Sequence, residues 1–279
     1  MLLRTVDRPD NPVARLTSAS RLIHVITRLC KAMIAVSTLD MSLLALVPAR
    51  GGSKRIPRKN ITDFHGKPMI AYPLEAAFAA GIFDCIHVST DDPEIRQIAV
   101  DRGADVSLER PATLADDMTG LLPVARWTLQ AFAARGRRFD AVFILYPCSP
   151  MLTARDLNGA FEMFKRHGGK KNLLTVGKNP VPAEWLYHQA DDGRLVPLTP
   201  GGAFQRSQDL EAAYFETGTF TVFSAAYLLM AGQLTDDANY IGYELPQWKA
   251  IDIDTPEDLE RARDNYQFYR AQLSREMQT

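Results

Sequence analysis

Cysteine and histidine are scarce, and long apolar runs are missing. The 279-residue chain has only three cysteines, Cys30, Cys85 and Cys148, far apart in sequence. That usage excludes a disulfide framework and a Cys-x-x-Cys zinc pattern, and it points to a reducing cytoplasm. The five histidines have no metal-ligand spacing and read as structural or surface residues. No apolar stretch reaches the ~18 residues needed to span a bilayer, so no stable membrane association is expected. Charge of one sign is also lacking: 32 Lys and Arg oppose 33 Asp and Glu, a formal net charge of −1. A generic polyanion binder is thereby excluded.

What is present is the balance of a soluble globular protein, 46% hydrophobic and 23% charged. Residues 1–40 stand apart. They are basic, and Arg21 to Val36 carries apolar residues at roughly helical spacing. A signal peptide is a poor reading, because Arg28 and Lys31 interrupt the apolar stretch and no small-residue cleavage site follows. A basic amphipathic helix on a membrane surface is a second reading. The preferred one is a non-catalytic extension, with Met41 a sensible first residue. Residues 41–279 then form the catalytic domain.

From Leu43 the pattern alternates strand and helix. Strands are expected at Leu43–Val47, Cys85–Ser89, Val106–Leu108, Ala141–Tyr146, Leu173–Val176, Tyr214–Phe223 and Trp248–Ile253. Helices are expected at Gly66–Gly81, Asp92–Gly103, Thr119–Arg135, Thr153–His167 and Pro256 to about Leu273, the last capped by Thr255. Lys178–Ala213 is rich in Pro, Gly, Asp and Gln and reads as an inserted arm, with short strands near Trp185–His188 and Arg194–Pro197. Such alternation implies a mostly parallel sheet covered on both faces. Ligands bind beyond the C-terminal strand ends in sheets of this kind.

Two strand-end segments carry chemistry. The first, Pro48 to Asn60, holds Arg50, Lys54, Arg55, Arg58 and Lys59 with no acid, and the pair Gly51-Gly52. Adjacent glycines let backbone N–H groups approach anionic oxygens, and arginine grips phosphate with two donors. A solvated basic turn is the alternative, but the position directly after a buried first strand favours polyphosphate. Nucleic acid is disfavoured, since no aromatic platform is interleaved. The second segment is Ile251-Asp252-Ile253-Asp254-Thr255. Alternate residues of a strand share a face, so Asp252 and Asp254 could share one hard cation such as Mg²⁺. Helix capping explains Thr255, Glu257 and Asp258 but not the two acids alternating with isoleucine. A phosphate loop with an acid pair describes a nucleotidyltransferase.

At these residues the chain resembles the cytidylyltransferases that activate nonulosonic acids, the relatives of CMP-sialic acid synthetase. The resemblance runs from Ala45–Lys54 and Pro57–Asn60 through Val88–Asp92 and Arg110–Asp117 to Ile251–Thr255. Three segments are similar to the branch acting on pseudaminic acid: Tyr146-Pro147-Cys148-Ser149-Pro150, Arg206–Leu210, and Phe215-Glu216-Thr217-Gly218. The resemblance implies a three-layer α/β fold of the nucleotide-diphospho-sugar transferase (Rossmann-like) type, with CTP and a nonulosonic acid as substrates and Mg²⁺ as cofactor. It also implies a homodimer joined through the arm. Catalytic roles fall to Arg50, Lys54, Lys59, Asp252 and Asp254, the last two also holding the metal. Nucleotide contacts are implied at Ala49, Arg50, Gly51, Gly52, Ser53, Lys59, Asn60, Arg110, Asp116, Thr119 and Pro147. Sugar contacts are implied at Tyr146, Arg206, Gln208 and Gly218. Asp91, at a strand end, is open between a site role and a helix cap.

Overall fold

The computed structural model describes residues 41–115, 119–230 and 239–278. The expectations for residues 1–40 and Asp116 lie outside the described residues. Six consecutive buried residues, Leu43–Pro48, make β1. Such a run suits a strand with both faces covered, and β1 is paired in parallel with both β4 (Cys85–Ser89) and β5 (Ala141–Leu145). The remaining main strands are β6 (Asn172–Lys178), β9 (Tyr214–Ser224) and β10 (Tyr240–Leu245). The sheet order is β10-β6-β9-β5-β1-β4. All neighbours are parallel except β9, which runs antiparallel between β5 and β6.

Alternate residues of β1 enter opposite cores. Leu43, Ala45 and Val47 pack with α1 (Ala71–Ala80), α2 (Pro93–Asp101) and α4 (Ala154–Arg166), whereas Leu44 and Leu46 pack with α3 (Leu121–Ala134) and α5 (Ala225–Leu229). These are the three layers expected. A third cluster holds Phe64, Met69 and Tyr72 with Ile251, Ile253 and Leu259, the last on α6 (Pro256–Glu276).

Four elements differ from the sequence reading. The helix expected from Gly66 begins at Ala71, because β2 (Asp63–Phe64) and β3 (Lys67–Pro68) form a tight hairpin first. Its two turn residues, His65 and Gly66, both have positive φ, as a two-residue hairpin turn requires. Val106–Leu108 forms no strand; only Asp105 bridges to His87. Trp248–Ile253 is not a strand either. Residues 247–249 form a turn, and the alternation of buried Ile and more exposed Asp that follows comes from a segment laid on the third cluster without pairing to another strand. The edge strand β10 was not foreseen, because Gly242 and Glu244 break its apolar pattern.

The arm carries a small antiparallel hairpin, β7 (Tyr187–Gln189) with β8 (Leu195–Pro197). Its apolar side chains are open to solvent: Phe204 is 94% exposed and Leu198 61%. No described helix is long and apolar enough to cross a membrane.

Candidate active site

The basic loop leaves the C-terminal end of β1 and the acid segment precedes α6, and the fold brings them together. They wall a cleft of about 610 Å³, to which Tyr146, Pro147 and Cys148 contribute from the end of β5 and Thr119 and Gly120 from the start of α3. Arg50, Lys54, Arg55, Lys59 and Arg110 are its five cationic lining residues, against the two carboxylates Asp252 and Asp254. Gly120 at the N-cap makes no side-chain cap, so first-turn N–H groups of α3, which lack intrahelical partners, add positive potential there.

The five cations of the loop do different things. Lys59 Nζ donates to Ile253 O at 2.6 Å and to Asp254 Oδ1 at 3.0 Å. Arg55 meets Asp254 Oδ2 at 2.8 Å. Arg58 turns away to Asp92 and Glu94. Arg50 and Lys54 line the cleft. The glycine pair is equally divided. Gly51 N–H donates to Asp91 Oδ1 at 3.2 Å, whereas a side chain at Gly52 would meet nothing within 4 Å. Ser53 N–H turns back to Gly51 O. Asp92, not Asp91, caps the second helix.

Asn60 is buried and bonded at both ends. Its Nδ2 donates to Arg50 O at 2.8 Å, and its Oδ1 accepts from the Cys148 thiol at 3.4 Å. It therefore fastens the neck of the loop to the end of β5. Burial pushes that thiol up to about 12, leaving Cys148 a neutral donor. The Ala49 side chain lies in the core, and its N–H bonds Ser89 O, which leaves only its carbonyl for a ligand. Arg110 is buried and donates to Leu114 O at 2.8 Å.

The two acids are not equivalent. Burial, and then the nearby charge of Asp254, raises the Asp252 carboxyl. Burial would raise Asp254 as well, but the Lys59 hydrogen bond and the charges of Lys59 and Arg55 outweigh it and hold that carboxyl low. Ile251 and Ile253 anchor the segment in the third cluster. Each such burial is worth ~1.5–3 kcal/mol, against ~0–1 kcal/mol for a part-exposed ion pair. Apolar packing thus places the segment, and the ion pairs orient its carboxylates.

Gly218 stands behind Asp252. Its φ is +60°, and a Cβ there would lie 2.8 Å from Asp252 Cγ. The register shift between Leu174 and Val176 leaves Thr217 to Phe220 out of the β6–β9 ladder beside this point. Thr175 and Thr217 hydroxyls satisfy the freed backbone groups. The Tyr146 hydroxyl donates to Glu216 at 3.1 Å; burial, and then the Glu216 charge, raises that phenol. Arg206 and Gln208 do not line this cleft. They sit on the arm, where Arg206 pairs with Asp209 at 2.7 Å.

Sequence reasoning did not single out Lys249. It is buried, bonds Asp156 at 2.8 Å and Glu276 in the last turn of α6, and so fixes the turn that leads into the acid segment. A lone lysine in a polar stretch gives no signal of this. Among the described residues no group of three or more His, Cys, Asp or Glu converges as a metal cage.

Residues 44–273 match the family model described as Cytidylyltransferase. Pseudaminic acid cytidylyltransferase of Campylobacter jejuni subsp. jejuni is 34% identical over 80% of this chain and 95% of its own length. CMP-N,N'-diacetyllegionaminic acid synthase of Legionella pneumophila is 31% identical over 78% of this chain and 93% of its own. The structure of a CMP:2-keto-3-deoxy-manno-octonic acid synthetase complexed with CTP covers 80% of this chain and 97% of that one. Its TM-score is 0.57 at 18% identity, a likeness of fold.

Proposed function

Because the chain belongs to the cytidylyltransferase family, we propose that it transfers CMP from CTP to the anomeric hydroxyl of a nonulosonic acid, pseudaminic acid first among them. Pyrophosphate is the second product. The observation that carries this reading is the cleft itself: five cationic residues face two carboxylates at the sheet's C-terminal edge.

The hydroxyl oxygen forms its bond to the α-phosphorus as the bond to the departing pyrophosphate breaks. Positioning and charge neutralisation are the main contributions an enzyme makes to such a transfer. Arg50 and Lys54 neutralise phosphate oxygens from the loop. Lys59 holds Asp254, and Gly218 leaves room for Asp252. The donor set suits a hard cation bound jointly with phosphate: Asp252 is a carboxylate raised by burial and by a like-charged neighbour, a setting that a cation relieves. Mg²⁺ held by Asp252, with Asp254 beside it, would supply charge neutralisation on the triphosphate. Tyr146 and Gly218 face the sugar acid, with Glu216 behind Tyr146.

Residues 41–279 are taken as the catalytic unit in this reading, and residues 178–213 as an arm exchanged between two copies. The exposed apolar side chains of the arm support that pairing. Arg206 and Gln208 of one copy then complete the sugar end of its partner's cleft. In this reading the chain is a cytoplasmic enzyme acting on small molecules.

The test is pyrophosphate release with CTP, Mg²⁺ and a panel of nonulosonic acids, on the full chain and on protein starting at Met41. Release with pseudaminic acid alone is expected. Release only with N-acetylneuraminic, legionaminic or 3-deoxy-manno-octulosonic acid would keep the reaction and replace the sugar. CTP binding without turnover on any sugar would favour a regulatory nucleotide binder.

A further inference from the structure

The carboxylate of Asp92 touches both limbs of the basic loop. On the far limb, Arg58 Nη1 donates to Asp92 Oδ2 at 2.9 Å and Nη2 to Oδ1 at 3.0 Å, and Nη2 also reaches Glu94 at 2.7 Å. On the near limb, Gly51 packs so closely that a Cβ there would lie 2.5 Å from Asp92 Oδ2. The same carboxylate accepts from Glu94 N–H and Ile95 N–H as the N-cap of α2. Its side chain is only 12% exposed.

Arg58 has a φ of 53°. That conformation is uncommon for a non-glycine residue; here the Arg58 carbonyl accepts from Ile61 and Thr62 N–H while the side chain takes a two-pronged grip on Asp92. The Arg58 hydrogen bonds in turn hold the Asp92 carboxyl below its ordinary value. Between the two pinned points, Gly51 and Arg58, lie Ser53, Lys54 and Arg55, which line the cleft, and Arg50 directly precedes the first of them; the Gly51 N–H itself is held by the neighbouring Asp91.

We infer that Asp92 is a positioning residue: by clasping Arg58 and seating Gly51 it fixes the shape of the basic loop, and with it the placement of Arg50 and Lys54 for a nucleoside triphosphate. Arg58 is then a clasp, not a phosphate ligand. This inference rests on the nucleotide-transfer reading for its ligand but not for the clasp itself.

Two variants separate the clasp from the cap. Asp92→Ser keeps an N-cap, since serine caps about as well as aspartate, but cannot grip a guanidinium. Arg58→Met leaves the cap untouched. Four measurements apply to the full chain: melting temperature, binding of CTP with Mg²⁺ by calorimetry, the KM values for CTP and the sugar acid, and the rate of tryptic cleavage after Lys54 and Arg55. Both variants should weaken CTP binding by about 10-fold or more, the scale on which supporting partners of a site act. The double variant should be no worse than either single one, because the two residues form one unit. Cleavage after Lys54 and Arg55 should quicken, and KM for the sugar acid should stay within about twofold. CTP binding within about twofold of wild type in both variants, additive losses, or unchanged cleavage rates would each overturn the inference. So would a lowered melting temperature with both KM values rising together. Should Asp92→Ser fail to fold, Arg58→Met decides alone. A wild-type chain that binds no CTP would sink the nucleotide reading instead, and the cleavage rates would still test the clasp.

Discussion

Lys59 and Asp254, 195 residues apart, meet at 3.0 Å on the floor of the cleft. Their contact joins the loop that follows the first strand to the segment that precedes the last helix. Both side chains are partly exposed, so the pair itself should add no more than about 1 kcal/mol to stability. Its value lies in orientation. Asp254→Asn should lower kcat about 10²–10³-fold, the usual loss for one preorganised charge at a reacting centre, with little change in melting temperature. Lys59→Met should do the same. Near-normal turnover in a folded Asp254→Asn protein would remove the acid pair from the mechanism.

Gly218 should be replaceable only at the expense of Asp252. Gly218→Ala carries a left-handed backbone penalty of ~1–2 kcal/mol and a Cβ at 2.8 Å from Asp252 Cγ. Gly136 provides the comparison: its φ is +79°, and a Cβ there would meet nothing within 4 Å. Alanine at either position should lower the melting temperature, but only Gly218→Ala should cut turnover by about 10-fold or more. Equal activities would show that Asp252 tolerates displacement.

The arm should hold two copies together. Phe204, Leu198 and Leu195 project apolar surface from a segment with little core of its own, and exposed apolar surface of this kind marks an interaction site. Light scattering at micromolar concentration should give twice the chain mass, and Phe204→Asp with Leu198→Asp should give the monomer. The double variant should also lose sugar affinity if Arg206 and Gln208 serve the partner's cleft. A monomeric wild-type chain would refute the exchanged arm.

Acid should destabilise the fold partly through Asp105. Its hydrogen bond with the buried His87, at 2.7 Å, is the chief reason its carboxyl sits at about 2, against ~3.9 for an unfolded aspartate. The unfolded chain therefore takes up the proton first. This contribution is complete above about pH 4 and is lost as the pH falls through about 4 toward about 2. Asp105→Asn should have a lower melting temperature at neutral pH and a shallower decline over that acid window. Parallel declines in the two proteins would place the acid sensitivity elsewhere.

The parts of the fold that were legible were those fixed by continuous or local signals. Cys85–Ser89 is a strand with the bounds read from its apolar run. Thr255 caps the last helix as read, through reciprocal bonds with Asp258, and Thr153 does the same with Asp156, as side chains three residues apart can do. The Ile-Asp alternation at residues 251–254 was misread as a strand, because an extended segment packed on a helix buries alternate residues just as a sheet does. Within the site, the basic loop and the acid pair were visible as unusual concentrations of charge. Lys249, Glu216 and Asp92 were not, since each acts through a partner distant in sequence.

Most of the strand–helix alternation, the cationic density of the first loop and the close spacing of two acids near the end were determined by the sequence by itself. Residue types and short spacings are enough for those, because strand burial, capping and charge density are local properties. Which cation does what was decided only in three dimensions. Arg50, Arg55, Arg58 and Lys59 are all cations, but Arg50, Arg55 and Lys59 line the cleft with Lys54, two of those three also hold Asp254, and Arg58 clasps Asp92. Asp252 and Asp254 likewise read as a symmetric pair and become a carboxylate raised by partial desolvation and its neighbour's charge, and an ion-paired one held low. Ionic and hydrogen-bonded roles depend on distances of about 3 Å between segments that the chain alone leaves far apart, and only the packed core sets those distances.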